Sequence, residues 1–333
     1  MIGFNLKSIV KRRFPGAAAS VLVAALSLLP ACGGAGGGID GTGFVAGPIE
    51  GFGSLIVAGV TLETTEAAIR IDGVPVLITD LRLGMVVEVQ GEIDRATATG
   101  RAFDIAFERD IAGVVTALDI AGKTFEVLGQ RVRILSTTEF DDGRFEDLQI
   151  GSNVVVSGLR DATGVLIATF VGIEENEVEI ELRGIVRDLN SNARTFRIGN
   201  QQVDFNGALV SGGPLTNGVL VEVESTRGIV GGTLLADSIE VEDDRPIDVG
   251  DEVEFEGFVT RVISSTEFEL SESLILRILA GTEFSGGTRV DLRLNSFVQI
   301  EGTVANDGAV AAKQVEFKDA EDDIDDEDDE DDE

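Results

Sequence analysis

Leu81-Arg-Leu-Gly84-Met-Val-Val87-Glu-Val89-Gln-Gly91 decides the fold, because it returns three more times. Leu148-Gln-Ile-Gly151-Ser-Asn-Val154-Val-Val156-Ser-Gly158 comes next, then Leu215-Thr-Asn-Gly218-Val-Leu-Val221-Glu-Val223-Glu-Ser225. The last copy is Leu292-Arg-Leu-Asn295-Ser-Phe-Val298-Gln-Ile300-Glu-Gly302. The shared grammar is L-x-x-G-x-x-V-x-V-x-G, with Asn295 and Ser225 each standing once for a Gly. Its second half alternates as a half-buried strand does: Val or Ile points one way, and Glu, Gln or Ser mostly points the other. The Gly or Asn before it tolerates a positive φ and turns the chain into that strand. Recurrence in one register means copies of one small β-unit.

The flanks repeat as well. The later three copies open on Gly113-Val-Val, Gly184-Ile-Val and Gly257-Phe-Val, and about a dozen residues on stand Phe125, Phe196 and Phe268. Asp161-Ala-Thr-Gly164 and Asn306-Asp-Gly308 are turn-forming and follow the shared stretch as hairpins. Each copy closes on Ala-x-x-Ile/Val, beginning at Ala102, Ala168, Ala236 and Ala312. Each unit thus holds about five or six short strands and no convincing amphipathic helix. The expected fold is all-β: four tandem small OB-like barrels, whose closure hides strand edges. A long β-solenoid is the alternative, although solenoid repeats run shorter. The units are placed at 46–109, 110–176, 177–245 and 246–318. Alternation continues through the joins at Val178-Glu-Ile180-Glu-Leu182 and Val253-Glu-Phe255, so closely coupled beads are expected.

Composition limits the chemistry. The formal net charge is −34, which repels phosphate backbones and argues against nucleic-acid partners. There is no His, Trp or Tyr, and Cys occurs once. A Ser-His-Asp triad, a His-ligated metal, an intramolecular disulfide and a Cys-based zinc site are therefore excluded. Carboxylates, hydroxyls, Lys and Arg remain; no cofactor and no catalytic residue are expected.

Residues 1–31 have the form of an export signal, with Lys7, Lys11, Arg12 and Arg13 before a short apolar run from Ala17 to Leu29. The run is shorter than the roughly 20 residues that cross a bilayer. Leu29-Pro30-Ala31-Cys32 resembles the bacterial lipobox, and the resemblance implies lipidation at Cys32 and cleavage before it. An ordinary signal peptide with an incidental Cys is the plainer reading. Gly33 after Cys32 implies the outer membrane under the same resemblance, and the Gly-rich stretch within 32–45 is read as a tether. The lipobox, the opening Gly47-Pro-Ile49-Glu-Gly51-Phe-Gly53 and the repeats together resemble a bacterial family catalogued as domain of unknown function 5666. That resemblance covers nearly all of residues 38–318 and implies lipoproteins with tandem small β-domains and no established catalytic residues.

Two features attract binding hypotheses. Residues 319–333 are acidic except Ala320 and Ile324, and self-repulsion predicts a disordered tail. Asp322, Asp323, Asp325 and Asp326 would collect Ca²⁺ weakly, without the Gly and spacing of an EF-hand, and a solubilising or charge-spacing tail is the favoured explanation. Arg183 and Arg187, an even count apart, would share a strand face and dock an acidic partner, or simply discourage edge pairing. Sugar binding suits OB-like barrels, but the Phe positions fit core packing. Carboxylate pairs such as Asp141-Asp142 are explained by solvated loops. The expected protein is a non-enzymatic, lipid-anchored binding, scaffolding or display module of the cell envelope with a protein partner there. Cation or oligosaccharide binding is the alternative.

Overall fold

In a computed structural model of the chain, the described residues are 42–242, 247–271 and 274–319. Unit two shows the plan most simply. Its strands are Ile111–Asp119, Thr124–Val127, Gln130–Asp141, Asn153–Arg160 and Leu166–Glu174. The first pairs with the second, the second with the third, and the third runs parallel to the fifth. The fifth pairs with the fourth, which returns antiparallel to the first, so the sheet closes on itself. Unit four repeats this with Glu252–Val262, Glu267–Leu270, Leu274–Ser285, Phe297–Val304 and Val310–Phe317. Unit one has first, second, fourth and fifth strands Thr42–Gly51, Leu55–Val57, Val86–Asp94 and Thr99–Phe107. Its third strand is cut into Val60–Glu63 and Ala68–Ile71, both parallel to the fifth.

The recurring stretch does the same work in every unit. Val87 and Val89, Val154 and Val156, Val221 and Val223, and Val298 and Ile300 are all buried in their barrels. The turn before them takes φ of 78° at Gly84, 99° at Gly151, 94° at Gly218 and 66° at Asn295, the left-handed region that Gly and Asn favour. The closing Gly marks a bulge against the fifth strand in units one, two and four. A Cβ on Gly158 would lie 2.2 Å from the Ile167 carbonyl oxygen, so no side chain fits there. Unit three has Ser225 at this place, and its barrel is split. Ile180–Ile185, Leu220–Ser225, Ser238–Val241 and Leu209–Ser211 belong to one sheet. Arg187–Asn190, Thr195–Ile198, Gln201–Asp204, Thr233–Leu235 and Ile229–Val230 form another. Ser225 Oγ donates 2.6 Å to the Leu235 carbonyl, just where the fifth strand breaks.

The units are not beads in a row. Units two and three share one apolar core and are joined where Ile111 and Ala112 pair with Leu182 and Glu181. Units one and four, the ends of the array, are joined by a parallel ladder from Gly43 opposite Glu252 to Ala46 opposite Phe255. Phe44, on a strand of unit one, belongs to the core of unit four and packs on Phe255 at 5.2 Å between ring centroids. Phe170 of unit two enters the core of unit one, and Leu159 and Ile167 of unit two meet Phe258 of unit four. The four units thus pack into one cluster, with the end units one and four joined directly and unit two touching all the others. Residues 42–45, read from sequence as part of the tether, are paired strand; a Cβ on Gly43 would lie 2.6 Å from Ile93 Cδ1, so this Gly serves close packing.

Candidate functional site

In each unit alternate strand residues fill the barrel, and part of the opposite face turns toward neighbouring units. Polar residues between the buried valines therefore do not all meet solvent: Ser157 and Glu222 are buried, and Glu88 is half-buried. Where the four units meet, these faces enclose a cavity of about 520 Å³. Carboxylates dominate its walls: Glu88 and Glu108 from unit one, Asp110 from the following link, Glu222, Glu240 and Glu242 from unit three, and Glu256 from unit four. Two guanidinium groups, Arg160 and Arg183, face them. Apolar patches lie between, formed by Val86, Leu159, Leu220, Phe255, Leu270 and Leu274.

Both arginines are engaged within the wall. Arg183 Nε donates to Glu242 Oε2 at 2.7 Å, and its Nη1 lies 3.7 Å from Asp110 Oδ1. Asp110 Oδ2 in turn accepts the Gly158 N–H at 2.9 Å. Arg160 donates to the Arg183 carbonyl at 2.9 Å and to Gln130 Oε1 at 3.4 Å. Glu256 differs: it is 9% exposed, and no hydrogen-bond partner meets its carboxylate among the described residues. Burial pushes its pKa up to about 7, with Glu50, Glu254 and Glu316 adding to the rise and Lys318 opposing it.

Behind the wall lies a second set of buried charges. Arg109 bridges Asp72 at 2.6 Å and Glu181 at 2.8 Å, tying units one and three together. Burial raises the Glu181 pKa well above the usual carboxylate range; Asp72, Glu222 and Glu224 add to this and Arg109 opposes it. Glu181, Glu222 and Glu224 bring carboxylate oxygens within 4.8 Å of one another, the set best placed among the described residues to hold a metal ion. The three are cross-strand neighbours, since Glu181 pairs with Glu224 and Arg183 with Glu222.

Of the residues singled out from sequence, Arg183 stands in the cavity wall, whereas Arg187 is exposed on the other sheet of unit three, opposite Arg197. The two are not brought together. Cys32 and the tail residues Asp322, Asp323, Asp325 and Asp326 lie outside the described residues. Sequence reasoning missed Glu256, Glu222 and Arg109. The available signal was that Glu recurs at the polar positions of strands whose apolar face fills a barrel.

The family profile described as Domain of unknown function (DUF5666) matches residues 42–105, 112–172, 183–240 and 256–316, together well over half of the chain. A search of curated proteins finds no match.

Proposed function

We propose a function from the premise that this chain belongs to the DUF5666 family, whose profile repeats four times along it. The protein is a non-enzymatic binding module of the cell envelope, anchored by lipid at Cys32, and its four units act together. The units are of the OB-like class, a reading supported by the closing strand order and the parallel third and fifth strands. In such barrels loops and one sheet face commonly bind ligands. Here the assembled units offer a site that no single unit contains.

One observation carries the proposal: a cavity of about 520 Å³ is lined by residues from all four units. That size lies within the roughly 300–1,000 Å³ of small-molecule sites, and concave, partly apolar walls with convergent polar groups are what such sites use. The test is a thermal-stability screen of the full chain against a chemically diverse small-molecule library, run beside in-cell crosslinking. A ligand that raises the midpoint and protects cavity residues from hydrogen exchange is the expected result. No stabilising ligand and no crosslinked partner would overturn the reading. The anchor is tested separately: radiolabelled palmitate should enter the protein and be absent from Cys32→Ala.

A further inference from the structure

Resting on the binding-module reading, we infer that the cavity between the units takes an aliphatic polyamine, with its ammonium groups on carboxylates of different walls and its methylene stem on the apolar patches between them. Charge comes first. Seven carboxylates face two guanidinium groups, and both guanidinium groups have partners in the wall itself. The surplus is negative between walls that are mostly buried or half-buried, where a carboxylate gains more from a cationic hydrogen-bond donor than it does at an open surface. Glu256 sharpens this. It is nine-tenths buried, lines the cavity, and accepts no hydrogen bond from the described residues. Its carboxylate borders the cavity without a donor from the surrounding protein, so an ammonium group there would add a charge-assisted hydrogen bond.

Shape and lining select among cations. A bare metal ion gathers its oxygen ligands within about 2.6 Å and would leave most of a cavity of about 520 Å³ unused. Val86 of unit one, Leu220 of unit three, and Phe255 and Leu274 of unit four offer aliphatic and aromatic contact between the acidic walls. Alternating carboxylate and apolar surface complements a chain that alternates ammonium groups with methylenes. Anionic ligands meet repulsion throughout.

Binding should strengthen between pH 6 and pH 8, as Glu256 ionises. The groups facing Glu256 are Glu50 of unit one, Glu254 on its own strand, and Glu316 and Lys318 at the end of unit four. The other charged residues around the cavity are Glu88, Glu108, Asp110, Arg160, Arg183, Glu222, Glu240 and Glu242.

The experiment is isothermal titration of the full chain with spermidine at low salt, compared with Glu256→Gln and Glu88→Gln. Both substitutions keep side-chain shape, so folding is preserved, and heats from the acidic tail are common to all three proteins. A saturable one-to-one event that weakens at least tenfold in both variants is expected. Equal saturable binding in all three would place the cation elsewhere and overturn the inference. So would a Glu256-dependent event with calcium chloride and none with spermidine. An uncharged library compound that binds in a Glu256-dependent way, with spermidine silent, would defeat the polyamine while leaving the binding-module reading intact. Silence from every ligand class and from crosslinking would defeat both.

Discussion

The seam between units two and three and the seam between units one and four hold the same cluster together by different means. The first joins consecutive units through two residue pairs and a shared core. The second joins the ends of the array through four consecutive pairs, with Phe44 sunk in the core of the partner unit and Arg95 reaching Glu254 at 2.7 Å. Loop-closure entropy grows only with the logarithm of length, so bringing Gly43 to Glu252 costs about 1 kcal/mol more than joining adjacent units. Burying one Phe contributes about 2–3 kcal/mol. The distant seam is therefore affordable through a single aromatic contact, and that contact should control it.

Phe44→Ala should break the comparison most. A loss of about 4 kcal/mol is expected from the buried surface and the cavity left behind, read from urea denaturation. If the loss were below about 1 kcal/mol, comparable to the entropy difference, Phe44 would not be what joins units one and four. Next comes Arg109→Met, behind the cavity wall, which leaves Asp72 and Glu181 buried without their cation. A loss of about 3 kcal/mol at pH 8 is expected, shrinking at pH 5 as Glu181 takes up a proton. An equal loss at both pH values would show that packing, not charge, is what Arg109 supplies.

Glu256→Gln works in the opposite direction. An ordinary glutamate titrates near 4.5 and this one at about 7, so the folded state holds its proton more tightly than the unfolded chain does. The favourable contribution is complete below about pH 4.5 and is lost as pH rises through 7. The shift corresponds to at most about 3 kcal/mol. The neutral amide should therefore stabilise the protein by about 2 kcal/mol at pH 8 and leave it unchanged at pH 4, in denaturation curves recorded at both. A flat difference across that range would refute the assignment. Arg277→Ala gives the smallest effect: its partners Glu267 and Asp307 lie on the outer surface of unit four, away from both seams, and no change in the denaturation midpoint is expected.

What was legible in the sequence was whatever one unit decides for itself. Alternation placed Val87, Val154, Val221 and Val298 in their barrels, and the Gly or Asn three residues earlier marked the left-handed turn. Another part of the pattern was present but unread. Asp80, Asp147 and Asp291 directly precede the hallmark Leu in units one, two and four, and each carboxylate accepts a backbone N–H three residues back to cap a short 3₁₀ turn. Unit three has Pro214 there, and together with Ser225 this distinguishes the one unit whose barrel is split into two sheets. The packing between units was not legible. Glu222 and Glu256 sit at polar positions of alternating strands, and period-two alternation shows the same whether the polar face meets water or another unit. Nothing local marks Gly43–Ala46 and Glu252–Phe255 as partners, because parallel pairing at such separation leaves no turn between them to read.

The parallel ladder between the end units has a mechanical consequence. The described chain begins at Thr42, beside the start of the Glu252–Val262 strand, and its last strand ends at Phe317, opposite Val298 and level with Gly257. Entry and exit thus lie beyond opposite ends of the four-pair seam, about 20 Å apart along the strand direction. A pull between the two ends slides one strand along the other and loads all the ladder's hydrogen bonds at once, instead of opening them one by one. The two end units are held by the clasp best placed to carry tension, with Phe44 as its pin.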